Sequence, residues 1–132
     1  AAAEAVLGQA YAPYSRFRVG AAVRTASGRV HAGCNVENVS YGLTICAERS
    51  AIARAVAEEG PEVRIVAVAV VHDGPEPCAP CGACRQVIAE FGGPGTTVRY
   101  RSTEGVVERA AGDLLPDTFG IPRHKAPQAP FA

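Results

Sequence analysis

A chain in which Cys46, Cys81 and Cys84 are to meet has few folds open to it, because two distant segments must deliver sulfur to one point. Cys81 and Cys84 stand three residues apart, and in the first turn of a helix they present both sulfurs to one ion. Cys46 opens another stretch of helical spacing and can add a third ligand from its first turn. Two helix N-termini then aim backbone N–H groups and positive dipole ends at the sulfurs, which favours thiolates and zinc. Three protein ligands leave one tetrahedral position open. Cys78 has the common two-residue spacing to Cys81, so a closed four-sulfur structural site is the alternative reading. Glu48 argues for the open one. Two positions after Cys46, its carboxylate can be held over the free position without binding the metal, as a proton carrier beside activated water must be.

The patterning around these residues predicts strands paired with helices. Residues 4–11 carry Val6, Leu7 and Ala10 at helical spacing and stop before Pro13. Phe17, Val19, Ala21 and Val23 fall on one face at period two, and Ser27 and Gly28 turn the chain into a return strand over 29–34. Thr44 is placed to cap the helix bearing Cys46, Ala47, Glu48, Arg49, Ile52 and Val56, which Gly60 and Pro61 end. The almost continuously apolar run 63–71 predicts a strand covered on both faces. Pro80 suits a first-turn position of the second cysteine-bearing helix, which continues through Val87, Ile88 and Phe91 to Gly92 and Gly93. Shorter strands over 97–100 and 106–107, separated by a turn at Glu104 and Gly105, complete a mixed sheet covered by helices.

Composition narrows the partners. The 132 residues, 48% hydrophobic and 20% charged, suit one compact domain over 1–132, with an extended Pro-rich tail at 122–132. The 13 basic and 13 acidic residues cancel, so the overall charge provides no positive field for a stable nucleic-acid partner. No apolar run reaches the length needed to cross a bilayer, and no export signal is evident, so no membrane partner is expected. Five cysteines, odd in number and tightly spaced, favour metal-bound thiolates in a reducing compartment, which points to the cytoplasm. His31, His72 and His124 read as surface or structural imidazoles rather than as a fourth ligand.

The run Cys46-Ala47-Glu48-Arg49 followed by Pro80-Cys81-Gly82-Ala83-Cys84-Arg85-Gln86 resembles the zinc signature of the small homotetrameric cytidine deaminases. The likeness extends from Tyr11-Ala12-Pro13-Tyr14-Ser15 through Phe17-Arg18-Val19-Gly20 and Gly33-Cys34-Asn35-Val36-Glu37-Asn38 to Leu114-Leu115-Pro116. It implies a three-layer α/β/α cytidine deaminase-like fold on a mixed five-stranded sheet. It also implies one Zn²⁺ per subunit and hydrolytic deamination of free cytidine and deoxycytidine, with Glu48 moving protons and Arg49 hydrogen-bonding the sulfurs.

Asn35 and Glu37 would bind the sugar hydroxyls, Phe17 would flank the nucleoside, and backbone groups near Ala47 would help read the base. The residue chemistry is compatible: an amide and a carboxylate two residues apart on one strand face offer donors and acceptors to a diol. Turn chemistry for Asn35 and a solvated surface charge for Glu37 are the plainer alternatives. The resemblance further implies a homotetramer in which Tyr41 and Phe119 approach a neighbour's pocket; filling their own subunit's surface or core is the other reading. Deamination of a different free cytosine-containing compound, and a purely structural zinc protein, stay open at this level.

Overall fold

The computed structural model describes residues 1–120, so the tail expected at 122–132, with His124, lies outside the described residues. Its elements in chain order are α1 (Ala2–Val6), continued by a 3-10 turn over Leu7–Gln9, β1 (Val19–Thr25), β2 (Val30–Cys34), a 3-10 turn over Tyr41–Leu43, α2 (Ala47–Glu59), β3 (Ile65–His72), α3 (Gly82–Phe91), β4 (Thr97–Ser102), β5 (Gly105–Ala110) and α4 (Ala111–Leu114). The five strands lie in the order β2-β1-β3-β4-β5. Only β3 and β4 run parallel, joined by the crossover that contains α3, and the other neighbours are antiparallel. The sheet is therefore mixed, as expected.

Alternation along β1 sorts the layers. Ala21, Val23 and Thr25 are almost wholly buried. Ala21 and Val23 pack with Ala51, Ile52 and Ala55 of α2, Ile88 of α3 and Val68, Val70 and Val98 of the sheet. Gly20 faces the other way and meets α1, whose Ala3 carbonyl oxygen lies 2.2 Å from where a Cβ would stand. Gly33, paired with Ala21, meets α2 as closely, with the Ala51 amide nitrogen 2.3 Å from a Cβ position. Only a residue without a side chain lets each helix approach its strand so closely. Thus α1 covers one face and α2 with α3 the other, the three-layer α/β/α arrangement.

Several boundaries differ from the sequence reading. The first helix is only five residues long before tightening into the 3-10 turn. Phe17 precedes β1 rather than belonging to it, and β4 and β5 are longer than expected. Thr44 follows the Tyr41–Leu43 turn instead of capping α2; its hydroxyl accepts the Asn38 N–H. The turn preceding β5 leaves Gly105 inside the strand, at φ +107°. Coverage of β3 is incomplete, since Val66 is 44% exposed at the register shift where Ala67 pairs with Arg24 and Ile65 with Thr25.

Candidate metal centre

Cys46 and Cys81 occupy the N-cap positions of α2 and α3, one residue before the first turns in which the sequence reading put them. Pro80 correspondingly lies ahead of α3 rather than within it. Register fixes where these helix starts meet. Gly20 pairs with Cys34 and Val19 with His72, so β1 begins at the sheet end where β2 and β3 finish. The chain leaves β2 toward α2 and leaves β3 toward α3 at this same end, and both helices sit on one face.

The Sγ atoms of Cys46, Cys81 and Cys84 all lie within 4.8 Å of one another. Sulfurs bound tetrahedrally to zinc at about 2.3 Å stand about 3.8 Å apart, so the cluster needs to close by at most about an ångström to take the ion. Cys78 is not part of this cluster, which weighs against the closed four-sulfur arrangement. Its thiol packs against the core and is pushed up to about 11 by burial and by the nearby Glu48 charge. Cys34 is half-buried at the end of β2 and also stands outside the cluster. Neither His31 nor His72 belongs to it. His31 is a structural imidazole, its Nε2 2.5 Å from Glu59 Oε2.

Charge at the centre is arranged around thiolates. The Cys46 thiol is lowered to about 5, first by the hydrogen bond from Cys84 and then by Arg49. The partner in that hydrogen bond, Cys84, is correspondingly raised. Arg49 donates from Nη2 to Cys46 Sγ at 3.2 Å, while its buried Nε–H has no acceptor among the described residues. One guanidinium beside one thiolate leaves Cys84 holding its proton, and a divalent cation is what would release it. The donor set, the open geometry and the orphaned Arg49 donor all fit a zinc ion. Glu48, on the first turn of α2, is 5% exposed, and burial raises its carboxyl, with the Cys46 charge adding to the shift. A carboxyl displaced in that direction is suited to take and return protons near neutral pH.

Asn35 and Glu37 lie beyond the end of β2, not on it, and each is only 8% exposed. The solvated-charge reading of Glu37 therefore fails. Their polar atoms hold the segment before β1: Asn35 Oδ1 accepts the Val19 N–H and its Nδ2 donates to the Phe17 carbonyl. Glu37 Oε1 accepts the Tyr14 and Ser15 N–H groups at 3.0 and 3.1 Å, and Oε2 accepts the Ser15 hydroxyl. These bonds, above all that from Ser15, hold the Glu37 carboxyl below its ordinary value. Both side chains thus shape the loop carrying Phe17, a role that local sequence did not reveal because the partners are about twenty residues away.

Ala47 is buried at the start of α2. Tyr41 and Phe119 are 72% and 83% exposed, so neither fills its own subunit's core. Tyr41 stands edge-on to Tyr14, and the Phe119 carbonyl accepts a bond from Gln86.

Residues 1–99 match the family described as the cytidine and deoxycytidylate deaminase zinc-binding region. The chain belongs to this family. A cytidine deaminase of Halalkalibacterium halodurans is 50% identical over 111 residues, which span 83% of each chain. Among solved structures, cytidine deaminase from Burkholderia pseudomallei aligns with a TM-score of 0.80 at 51% identity, over 89% of this chain and 94% of that one. The Mycobacterium tuberculosis cytidine deaminase aligns with a TM-score of 0.80 at 45% identity, over 91% and 93%. Membership makes this a zinc-binding deaminase fold and accounts for the convergence of the three sulfurs.

Proposed function

We propose that this chain removes the exocyclic amine of free cytidine and deoxycytidine by hydrolysis, giving uridine or deoxyuridine and ammonia. The observation that carries the reading is the buried Glu48 carboxyl beside three sulfurs gathered at two helix N-termini. The names of the relatives support the substrate class. Cys46, Cys81 and Cys84 are the residues that would hold zinc, and the bound ion supplies a water acidic enough to attack at neutral pH.

Glu48 takes a proton from the attacking water and delivers it to ring N3, which makes C4 more electrophilic. It then carries the second proton to the amine as the C4–N bond breaks, so water is consumed and ammonia leaves with no redox change. Arg49 offsets the negative charge that three thiolates place on the centre and keeps Cys46 oriented. Phe17 lies along the nucleoside, backbone groups near Ala47 read the base, and Asn35 and Glu37 meet the sugar through the hydrogen-bonding capacity left after they fix the 14–19 segment. With ammonia release compared across cytidine, deoxycytidine, cytosine and the monophosphates, and zinc measured on the same sample, the two nucleosides should be turned over and free cytosine should not. Equal inertness of all of them would overturn the reading.

The assembly belongs to the same proposal. Val39, Tyr41, Leu43 and Ile45 are all substantially exposed along one short stretch beside the metal centre, and Phe119 is exposed as well. Such a run of large apolar side chains is an interface in search of a partner. In a homotetramer these faces meet, and Tyr41 and Phe119 reach a neighbour's pocket, Phe119 offering an aromatic face to the base. No described helix is long and apolar enough to cross a membrane, and thiolates at a half-exposed centre suit a reducing cytoplasm. Light scattering over a range of concentrations should give the mass of four chains. A stable, fully active monomer would remove the shared-site arrangement.

A further inference from the structure

His72 ends β3, and its imidazole lies against the ring of Phe17 with centroids 3.9 Å apart and planes 12° from parallel. The two residues are brought together by the first pair of the β1–β3 register, Val19 with His72. The His72 side chain is only 4% exposed and is anchored at its edge. Gly74 N–H donates to Nδ1 at 3.3 Å, which makes Nδ1 an acceptor and leaves the proton of the neutral ring on Nε2, 3.2 Å from Glu76 Oε2. Asp73, also close to Nδ1 at 3.5 Å, is itself tied to Arg18 at 2.7 Å, next to Phe17 in the chain. These bonds hold the edge of the His72 ring, while burial of the side chain at the end of β3 keeps its flat face against Phe17.

This stack joins two segments of the chain that lead to the metal ligands. Phe17 sits in the segment whose backbone Asn35 and Glu37 hold, and Val36 between them bridges to Ile45, the neighbour of Cys46. His72 opens the 73–81 segment that ends at Cys81. Backbone hydrogen bonds fix where the Phe17 Cα lies but not how its ring is turned. A flat, buried imidazole parallel to one face of that ring does fix it, because rotation would break the stack on one side.

We propose that His72 is a positioning residue for nucleoside binding, acting through Phe17: it backs one face of the phenyl ring so that the ring is preset for the substrate. The inference rests on the reading that Phe17 contacts the nucleoside. It assigns His72 no contact with the reacting atoms, so its removal raises KM rather than lowering kcat.

The test uses the zinc-loaded full chain and cytidine. His72→Ala is expected to raise KM about fivefold, the worth of one aromatic pair, with kcat within about twofold and zinc content unchanged. His72→Phe, which keeps a flat ring and loses the hydrogen bonds to Gly74 and Glu76, should restore KM. His72→Gln, which keeps polar reach and loses the ring, should not, and these two variants carry the test if His72→Ala fails to fold. On a Phe17→Ala background, His72→Ala should add less than about twofold. A raised KM in Phe17→Ala beside an unchanged KM in His72→Ala and His72→Gln would overturn the role of His72 while leaving Phe17 at the nucleoside. An unchanged KM in Phe17→Ala would overturn the Phe17 contact and the inference with it. A fall in kcat equal to the rise in KM, or failure of His72→Phe to rescue, would make His72 a merely structural residue.

Discussion

Glu48→Gln is expected to lower nucleoside deamination by roughly three orders of magnitude while leaving zinc content and fold intact. The amide matches the carboxyl in shape and fits the same buried place on α2, but it cannot take a proton from water and return it to the ring and the leaving amine. Stability gives an independent check with a definite sign. Burial raises the Glu48 carboxyl, so the ionised form is penalised in the folded state, and that penalty grows as pH rises above the unfolded value of 4.5. Neutral glutamine carries no such penalty, and the variant should melt at or above the wild-type temperature at neutral pH. Ammonia release, zinc content and a thermal melt on one preparation decide the matter. Turnover within tenfold of wild type would remove Glu48 from the proton path; loss of zinc together with activity would show that it supports the metal instead.

What could be read from the sequence was what repeats or punctuates. Ala21 and Val23 alternate toward α2 as period two requires, and Gly60 and Gly92 follow the last residues of α2 and α3. The meeting of Cys46 with Cys81 and Cys84 was legible because their spacing makes sense only on two helix starts aimed at one ion. That both N-caps are cysteines was not. Thiols are not among the usual capping side chains, and neither cysteine makes a capping hydrogen bond; tertiary placement at the metal centre overrides the local preference that pointed to Thr44. The four-residue α4 is too short to leave a periodic mark. Asn35, Glu37 and His72 were harder still. Their partners Val19, Ser15 and Phe17 lie on the far side of strand pairings, so nothing in their immediate neighbours separates a sugar contact from a loop anchor, or a surface imidazole from a ring that fixes another ring.

Cys84→Ala is the second large effect expected, and it acts on the metal rather than on proton transfer. Cys84 is 1% exposed on the first turn of α3, so its removal takes away one of three sulfurs and leaves a small void where α2 and α3 meet. The remaining pair, on two different helix N-caps, falls one short of the three protein ligands that a hydrolytic zinc site keeps. Because the free energy of binding metal is linked to that of folding, zinc content, thermal stability and activity should fall together. The melting temperature of the variant should also lose most of the rise that added zinc gives the wild type. Cys78→Ser is the informative partner. Its thiol stands outside the three-sulfur cluster, so this variant should keep one zinc per chain and nearly wild-type activity, with any loss confined to the packing of a half-buried side chain. Full zinc in Cys84→Ala would strike that residue from the ligand set, whereas zinc loss in Cys78→Ser would bring back the closed four-sulfur site and, with no position left for water, take hydrolysis away with it.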